Sequence, residues 1–268
     1  NKRDSNFFKD LQKLLESRSQ NNNEKIDLEV RNIIHEVKEN GDKALFNFSK
    51  KFDKVELNES NLLLPKNIRN QYKNKIDLKI LKSFEKAITN ITNFHQKQLP
   101  QDYNINKKNL KIGLLWKPIQ SVGLYVPAGK AVYPSSLIMN VVPAKVAGVK
   151  RIVVATPSIN NHINPYILAL LDILEIQEVY QIGGAQAIAA LSYGTKIIPP
   201  VSKIFGPGNA YVSSAKKQVF GKVGIDLIAG PSEIVVVADS NNNPEWVASD
   251  LIAQAEHDER AQSILITD

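Results

Sequence analysis

Gln254 and His257 close the run Gln254-Ala255-Glu256-His257 at a spacing that puts both on one face of a helix. An amide oxygen and an imidazole placed that way can converge on one cation. The same pair also suits a plain helix end, where a histidine meets free carbonyls and the negative pole of the helix dipole. Spacing alone leaves both readings open, because Gln is an uncommon ligand and two ligands do not make a site. His257 has no thiolate to help it, for the chain contains no Cys. That absence removes disulfides, cysteine nucleophiles and cysteine-based zinc or iron–sulfur centres. The other histidines are His35, His95 and His162, too few for a multi-histidine metal centre within one chain. Ser232 and His257 do not add up to a nucleophilic triad, since no positioned acid follows from the sequence.

Ligand binding is the other chemistry the residue types allow, and four Gly/Pro-rich loops offer it. Tyr125-Val126-Pro127-Ala128-Gly129-Lys130 combines a backbone free to approach a ligand with a flat ring for stacking, or else is a strand–helix turn with a core tyrosine. Gly183-Gly184-Ala185-Gln186 feeds a helix whose free N–H groups suit an anion. Gly206-Pro207-Gly208-Asn209-Ala210-Tyr211 opens like the dinucleotide fingerprint G-x-G-x-x-G. Tyr211 stands where its third Gly should be, and Pro207 removes an amide, so the fingerprint fails. In Ala229-Gly230-Pro231-Ser232-Glu233, Ser232 either donates to a substrate or closes the turn.

The elements that must carry these loops change character near residues 100–120. Residues 4–98 read as helices. Leu28, Val30, Ile33, Ile34 and Val37 form an apolar stripe ended by Asn40-Gly41, and Asp42 can cap the next helix, whose inner face is Ala44, Leu45 and Phe48. Ile80 through Phe94 keep helical spacing over four turns. From Lys111 onward short apolar runs alternate with helical ones: strands at 121–126, 151–155, 178–182 and 203–205, each followed by a helix, then runs at 224–228 and 233–238. A last helix starts at Asn243-Pro244-Glu245, and a strand follows at 263–267. Runs such as Ile152-Val153-Val154-Ala155 suit strands buried on both faces, hence a parallel sheet covered by helices. In such α/β folds the loops at the carboxyl ends of strands hold the ligand.

Charge adds little. The net +7 divides into 24 Lys/Arg against 15 Asp/Glu in residues 1–120 and 10 against 12 in residues 121–268, that is +9 and −2. The basic excess is diluted by Asn and by acidic neighbours, with no block of basic residues, so no nucleic-acid partner is expected. No run reaches the roughly 18 apolar residues of a membrane span, and the polar start is no signal peptide, so no membrane partner and a cytoplasmic location are expected.

Taken in order, these segments resemble histidinol dehydrogenases. The likeness begins at Gly41-Asp42-Lys43-Ala44-Leu45 and Lys51-Phe52-Asp53 and runs through Asn93-Phe94-His95. It is dense at Ser121–Pro127, Gly183–Leu191, Lys203–Val212, Ala229–Glu233 and Ser249–His257. The resemblance implies two incomplete Rossmann-like domains, aldehyde-dehydrogenase-like, with a helical N-terminal region. Residues 1–120 plus 233–268 would form the first, and residues 121–232 an inserted NAD-binding domain. It implies NAD contacts at Tyr125, Gln186 and Asn209, substrate contacts at Ser232, Gln254 and His257, and zinc ligation by Gln254 and His257. The implied reaction is oxidation of L-histidinol to L-histidine through L-histidinal, with two NAD used in turn, in a homodimer. The family's catalytic Glu-His pair, an Asp zinc ligand and a further zinc-binding His, the last from the partner subunit, lie C-terminal to the segment matching Gln254–His257. The resemblance puts all of them beyond Asp268. The 268 residues are therefore expected to be a C-terminally truncated piece, inactive alone, with no catalytic residue of its own. The alternative expectation is a naturally shortened, non-catalytic relative that keeps nucleotide or partner binding.

Overall fold

The computed structural model describes residues 6–19, 23–128, 133–160, 162–228, 232–256 and 261–268. They fall into two compact units, residues 1–228 and 229–268.

The first unit is built on a five-stranded parallel sheet. In chain order its strands are β3 (Ser121–Tyr125), β4 (Arg151–Ala155), β5 (Glu178–Tyr180), β6 (Lys203–Phe205) and β7 (Gly224–Ile225). Side by side they run β5-β4-β3-β6-β7. The chain therefore builds outward from β3 in one direction, returns, and builds outward in the other, which is the Rossmann-like order. Every residue of β3 is buried, as a central strand of a covered parallel sheet requires.

Helices α5 (Pro134–Val146) and α6 (Pro165–Ile173) cover one face, and α7 (Gly184–Tyr193) and α8 (Ala210–Val219) the other. The N-terminal helices back both layers. The long α2 (Asn23–Phe48) packs on α7 and α8, while α3 (Lys66–Lys73) packs on α6 and α4 (Leu78–Gln96) on α5. A further helix, α1 (Phe7–Ser19), precedes them. The break expected at Asn40-Gly41 is present as a kink inside α2, where Gly41 takes φ 51° and ψ −129°. Asp42 does not serve as the expected cap with its Oδ1, which is buried without a partner. Just beyond, residues Ser49–Asp53 form a short π-helical turn. The edge of the sheet at β5 is closed by the segment before α3: Leu64 N–H donates to Val179, and Gln181 N–H donates to Leu62.

Two elements escaped the sequence pattern. β1 (Tyr103–Lys107) and β2 (Leu110–Leu114) form an antiparallel hairpin whose residues are all exposed. With no buried face there is no apolar–polar alternation for a sequence reading to detect.

The second unit is a small β–α–β. Strands β8 (Glu233–Ala238) and β9 (Gln262–Thr267) pair in parallel and are joined through α9 (Pro244–Ala255). α9 begins as expected: Asn243 accepts a hydrogen bond from Glu245 N–H, with Pro244 in the first turn. Val235, Val237, Trp246, Ile252 and Ile266 are all more than half exposed, so this unit leaves much apolar surface open to solvent.

Candidate functional site

The carboxyl ends of β3 and β6 meet where the strand order reverses, the place where open α/β sheets bind their ligands. The two loops there are bound tightly to each other. Gly206, directly after β6, has φ +119°, a conformation that L side chains rarely adopt. A Cβ built on it would lie 2.1 Å from the carbonyl oxygen of Tyr125 at the end of β3. Only hydrogen fits between these two backbones.

Tyr125 joins the third loop. Its hydroxyl oxygen accepts a hydrogen bond from Gly184 N–H at 3.1 Å, at the start of α7. The ring is 4% exposed, and burial pushes the phenol up to about 12. Tyr125 is thus a neutral core tyrosine that pins the α7 terminus, not a ring held open for stacking. Gln186, in the first turn of α7, is buried as well and folds back toward Gly184. A Cβ on Gly184, where φ is +66°, would meet Gln186 Oε1 at 2.6 Å.

Asn209 sits on the rim of the same cluster, exposed, and caps α8. Its Oδ1 accepts from both Tyr211 and Val212 N–H at 3.1 Å. This accounts physically for the broken fingerprint. Leading amides of both α7 and α8 already have protein partners, so a pyrophosphate cannot simply seat on a bare helix terminus. The Oδ1 of Asn209 is used by the cap, and the residue itself is exposed. Asn209→Ala should cost about 1 kcal/mol of stability through the lost cap. Asn209→Asp keeps the capping oxygen but removes the amide donors, so it should hold stability and, with NAD at the site the family resemblance implies, weaken its binding. Chemical denaturation and nucleotide titration of the two variants separate these roles.

Beneath the cluster lie polar groups to which the sequence reading gave no role. Lys216 and Asp226 grip Gly206 from below. Asp53, close enough to Tyr125 to raise its pKa, has a buried Oδ2 without a partner, and burial pushes its carboxyl up to about 6. Charged residues at helical or loop positions normally read as solvated, so periodicity gives no sign of these burials.

The three residues expected to contact NAD therefore lie at the end of β3, in the first turn of α7 and at the cap of α8. In the second unit, Ser232 is exposed beside β8, and its carbonyl accepts from Gln262 N–H. Gln254 lies in the last turn of α9 with its Nε2 buried and unpartnered. His257 lies outside the described residues. Asp268, the residue beyond which the catalytic Glu-His pair is expected, follows β9 directly and is exposed. Among the described residues no group of three His, Cys, Asp or Glu could hold a metal ion.

The sequence pattern of the family described as histidinol dehydrogenase matches residues 16–268. The chain belongs to the histidinol dehydrogenase family. It is 50% identical to the histidinol dehydrogenase of Listeria innocua over 258 residues, 96% of this chain and 60% of that protein. It is 47% identical to that of Rhizobium meliloti over 267 residues, 99% of this chain and 61% of the relative. The crystal structure of histidinol dehydrogenase from Elizabethkingia anophelis superposes with a TM-score of 0.83 at 37% identity, covering 89% of this chain and 55% of that one. The chain thus spans about three-fifths of the length of these curated relatives. The likeness to that structure agrees with the Rossmann-like α/β fold of this chain. Among the described residues no helix is long and apolar enough to cross a membrane.

Proposed function

We propose that this chain carries the NAD-binding part of a zinc-dependent enzyme that oxidises L-histidinol to L-histidine through L-histidinal. One observation supports this most: the loops of Tyr125, Gln186 and Asn209 converge where the strand order reverses. Asn209 meets the cofactor directly from the rim, and Gln186 does so by swinging away from Gly184. Tyr125 shapes the floor through its carbonyl, against Gly206, and through its hydroxyl on Gly184. When bound, NAD would supply the hydride acceptor, one molecule for the alcohol and a second for the hydrated aldehyde.

For zinc the described residues fit one arm of a site. The amide of Gln254 is buried at Nε2 without a partner, and a half-turn of its last torsion exchanges nitrogen for oxygen. An orphaned amide of this kind suits an oxygen ligand. We assign Gln254 and His257 to the metal and to substrate, and Ser232 to substrate. The metal would hold the imidazole and amine of L-histidinol in place as a template. Selectivity follows, because a substrate without the imidazole forfeits those bonds. We place residues 233–268 with 1–120 in one domain and 121–232 in the other, and take the working unit to be a cytoplasmic homodimer, on the strength of the family resemblance.

The resemblance implies a proton-transfer pair C-terminal to the segment matching Gln254–His257, so we expect the 268-residue polypeptide, assayed by itself, to bind NAD without forming NADH from L-histidinol. Adding the C-terminal part of the Listeria innocua relative should restore zinc-dependent NADH formation. Turnover by the 268 residues alone, followed by NADH absorbance, would overturn this assignment of roles.

A further inference from the structure

We propose that Lys216 and Asp226 act as a clamp on Gly206 that sets the shape of the Gly206–Asn209 loop for NAD, which makes both of them positioning residues. The proposal rests on the NAD reading above and names what holds that site in form. Lys216 lies two turns into α8 from the cap at Asn209, on its buried side, and is 3% exposed. Its Nζ donates to the carbonyl oxygen of Gly206 at 3.0 Å and pairs with the carboxylate of Asp226. Asp226 follows β7, the neighbour of β6. Its Oδ2 accepts from Gly206 N–H at 2.9 Å, and its Oδ1 accepts from Leu227 N–H at 2.7 Å. The two ends of one ion pair thus hold both backbone polar groups of a single glycine.

Energetics favour a positional role over a stabilising one. A buried ion pair seldom outperforms well-packed apolar residues, because desolvation offsets most of the attraction, whereas its directional bonds fix geometry. The geometry here needs fixing: φ at Gly206 is +119°, and the residue lies against the Tyr125 backbone without room to adjust. The loop then continues through Pro207 and Gly208 to Asn209, whose side-chain amide is the proposed cofactor contact. Lys216 and Asp226 act on NAD only through Gly206.

Three variants of the 268-residue protein test this: Lys216→Met, Lys216→Arg, and Lys216→Met combined with Asp226→Leu. The double variant leaves no buried charge unpaired, so it separates loss of the clamp from loss of the fold. In both Met-containing variants we expect NAD to bind about tenfold more weakly, the scale of one lost charge-assisted hydrogen bond. Amide hydrogen exchange at Gly206, Tyr211 and Val212 should accelerate by a similar factor, with Lys216→Arg recovering part of both. A double variant that melts like the unchanged protein, binds NAD equally well and exchanges equally slowly overturns the clamp. If Met-containing variants do not fold, Lys216→Arg decides: unchanged affinity and exchange overturn the clamp, and a shift in both with an unchanged melting temperature supports it. If the unchanged protein does not bind NAD at all, the cofactor reading fails instead, and the exchange rates alone then judge the clamp.

Discussion

Gly206→Ala should destabilise residues 1–228 by at least about 3 kcal/mol, beyond the usual range for a single surface-loop substitution. Two costs act together. The backbone at φ +119° is strained for any L side chain, and the new methyl would lie 2.1 Å from the Tyr125 carbonyl oxygen and 3.1 Å from its nitrogen. Neither obstacle is a flexible side-chain end. Tyr125 belongs to β3, paired on both sides, and Gly206 is held by Lys216 and Asp226, so relief must come from parting β3 and β6 at their carboxyl ends. Gly221 supplies the control. It also has a positive φ, +96°, but its Cβ would meet nothing within 4 Å, so Gly221→Ala should cost only about 1 kcal/mol from strain. Urea denaturation of the two variants gives the comparison. Equal costs would mean that close approach of the two loops is not what fixes Gly206.

Leu191→Ala should cost about 3 kcal/mol, the middle of the range for emptying a fully buried leucine site. Leu191 is 0% exposed and packs from α7 onto the bare backbone of Gly123 in the middle of β3. A Cβ on Gly123 would lie 3.0 Å from Leu191 Cδ1 and 3.1 Å from Val201 Cγ2, so Gly123→Ala alone should overpack the same spot. The two changes are complementary: shortening Leu191 opens the room that a methyl at Gly123 needs. The double variant should therefore be more stable than the sum of the single changes predicts, by about 1 kcal/mol. Additive costs would show that α7 does not rest on β3 in this register. The register matters to function because α7 carries Gly184 and Gln186 to the site.

How much of this was legible in the sequence depended on whether the signal was local. Strands β3, β4 and β6 read directly from apolar runs bounded by Gly and Pro, because a parallel sheet covered on both faces leaves its strands uniformly apolar. The start of α9 at Asn243-Pro244 read equally well, since a cap is a local device. The exposed hairpin at 103–114 gave no pattern to read. The site divided in the same way. Its loops could be found from Gly and Pro, but not their mutual contacts. Tyr125 looked able to offer its ring, whereas the structure spends its hydroxyl on Gly184 N–H at a sequence distance of 59 residues. Lys216 and Asp226 lie 10 and 20 residues from the glycine they hold, and nothing in periodicity links them to it. The family's sequence order carried what spacing could not, lifting Gln254 from an ordinary helix-end amide to a proposed ligand.

The central claim is that NAD binds where the loops after β3 and β6 meet the start of α7. Amide hydrogen exchange of the 268-residue protein, measured with and without NAD, tests it most directly. The account predicts added protection confined to residues 125–128, 183–187 and 206–212, reduced in Asn209→Asp. Protection centred elsewhere in the chain, or none at saturating NAD, would contradict it.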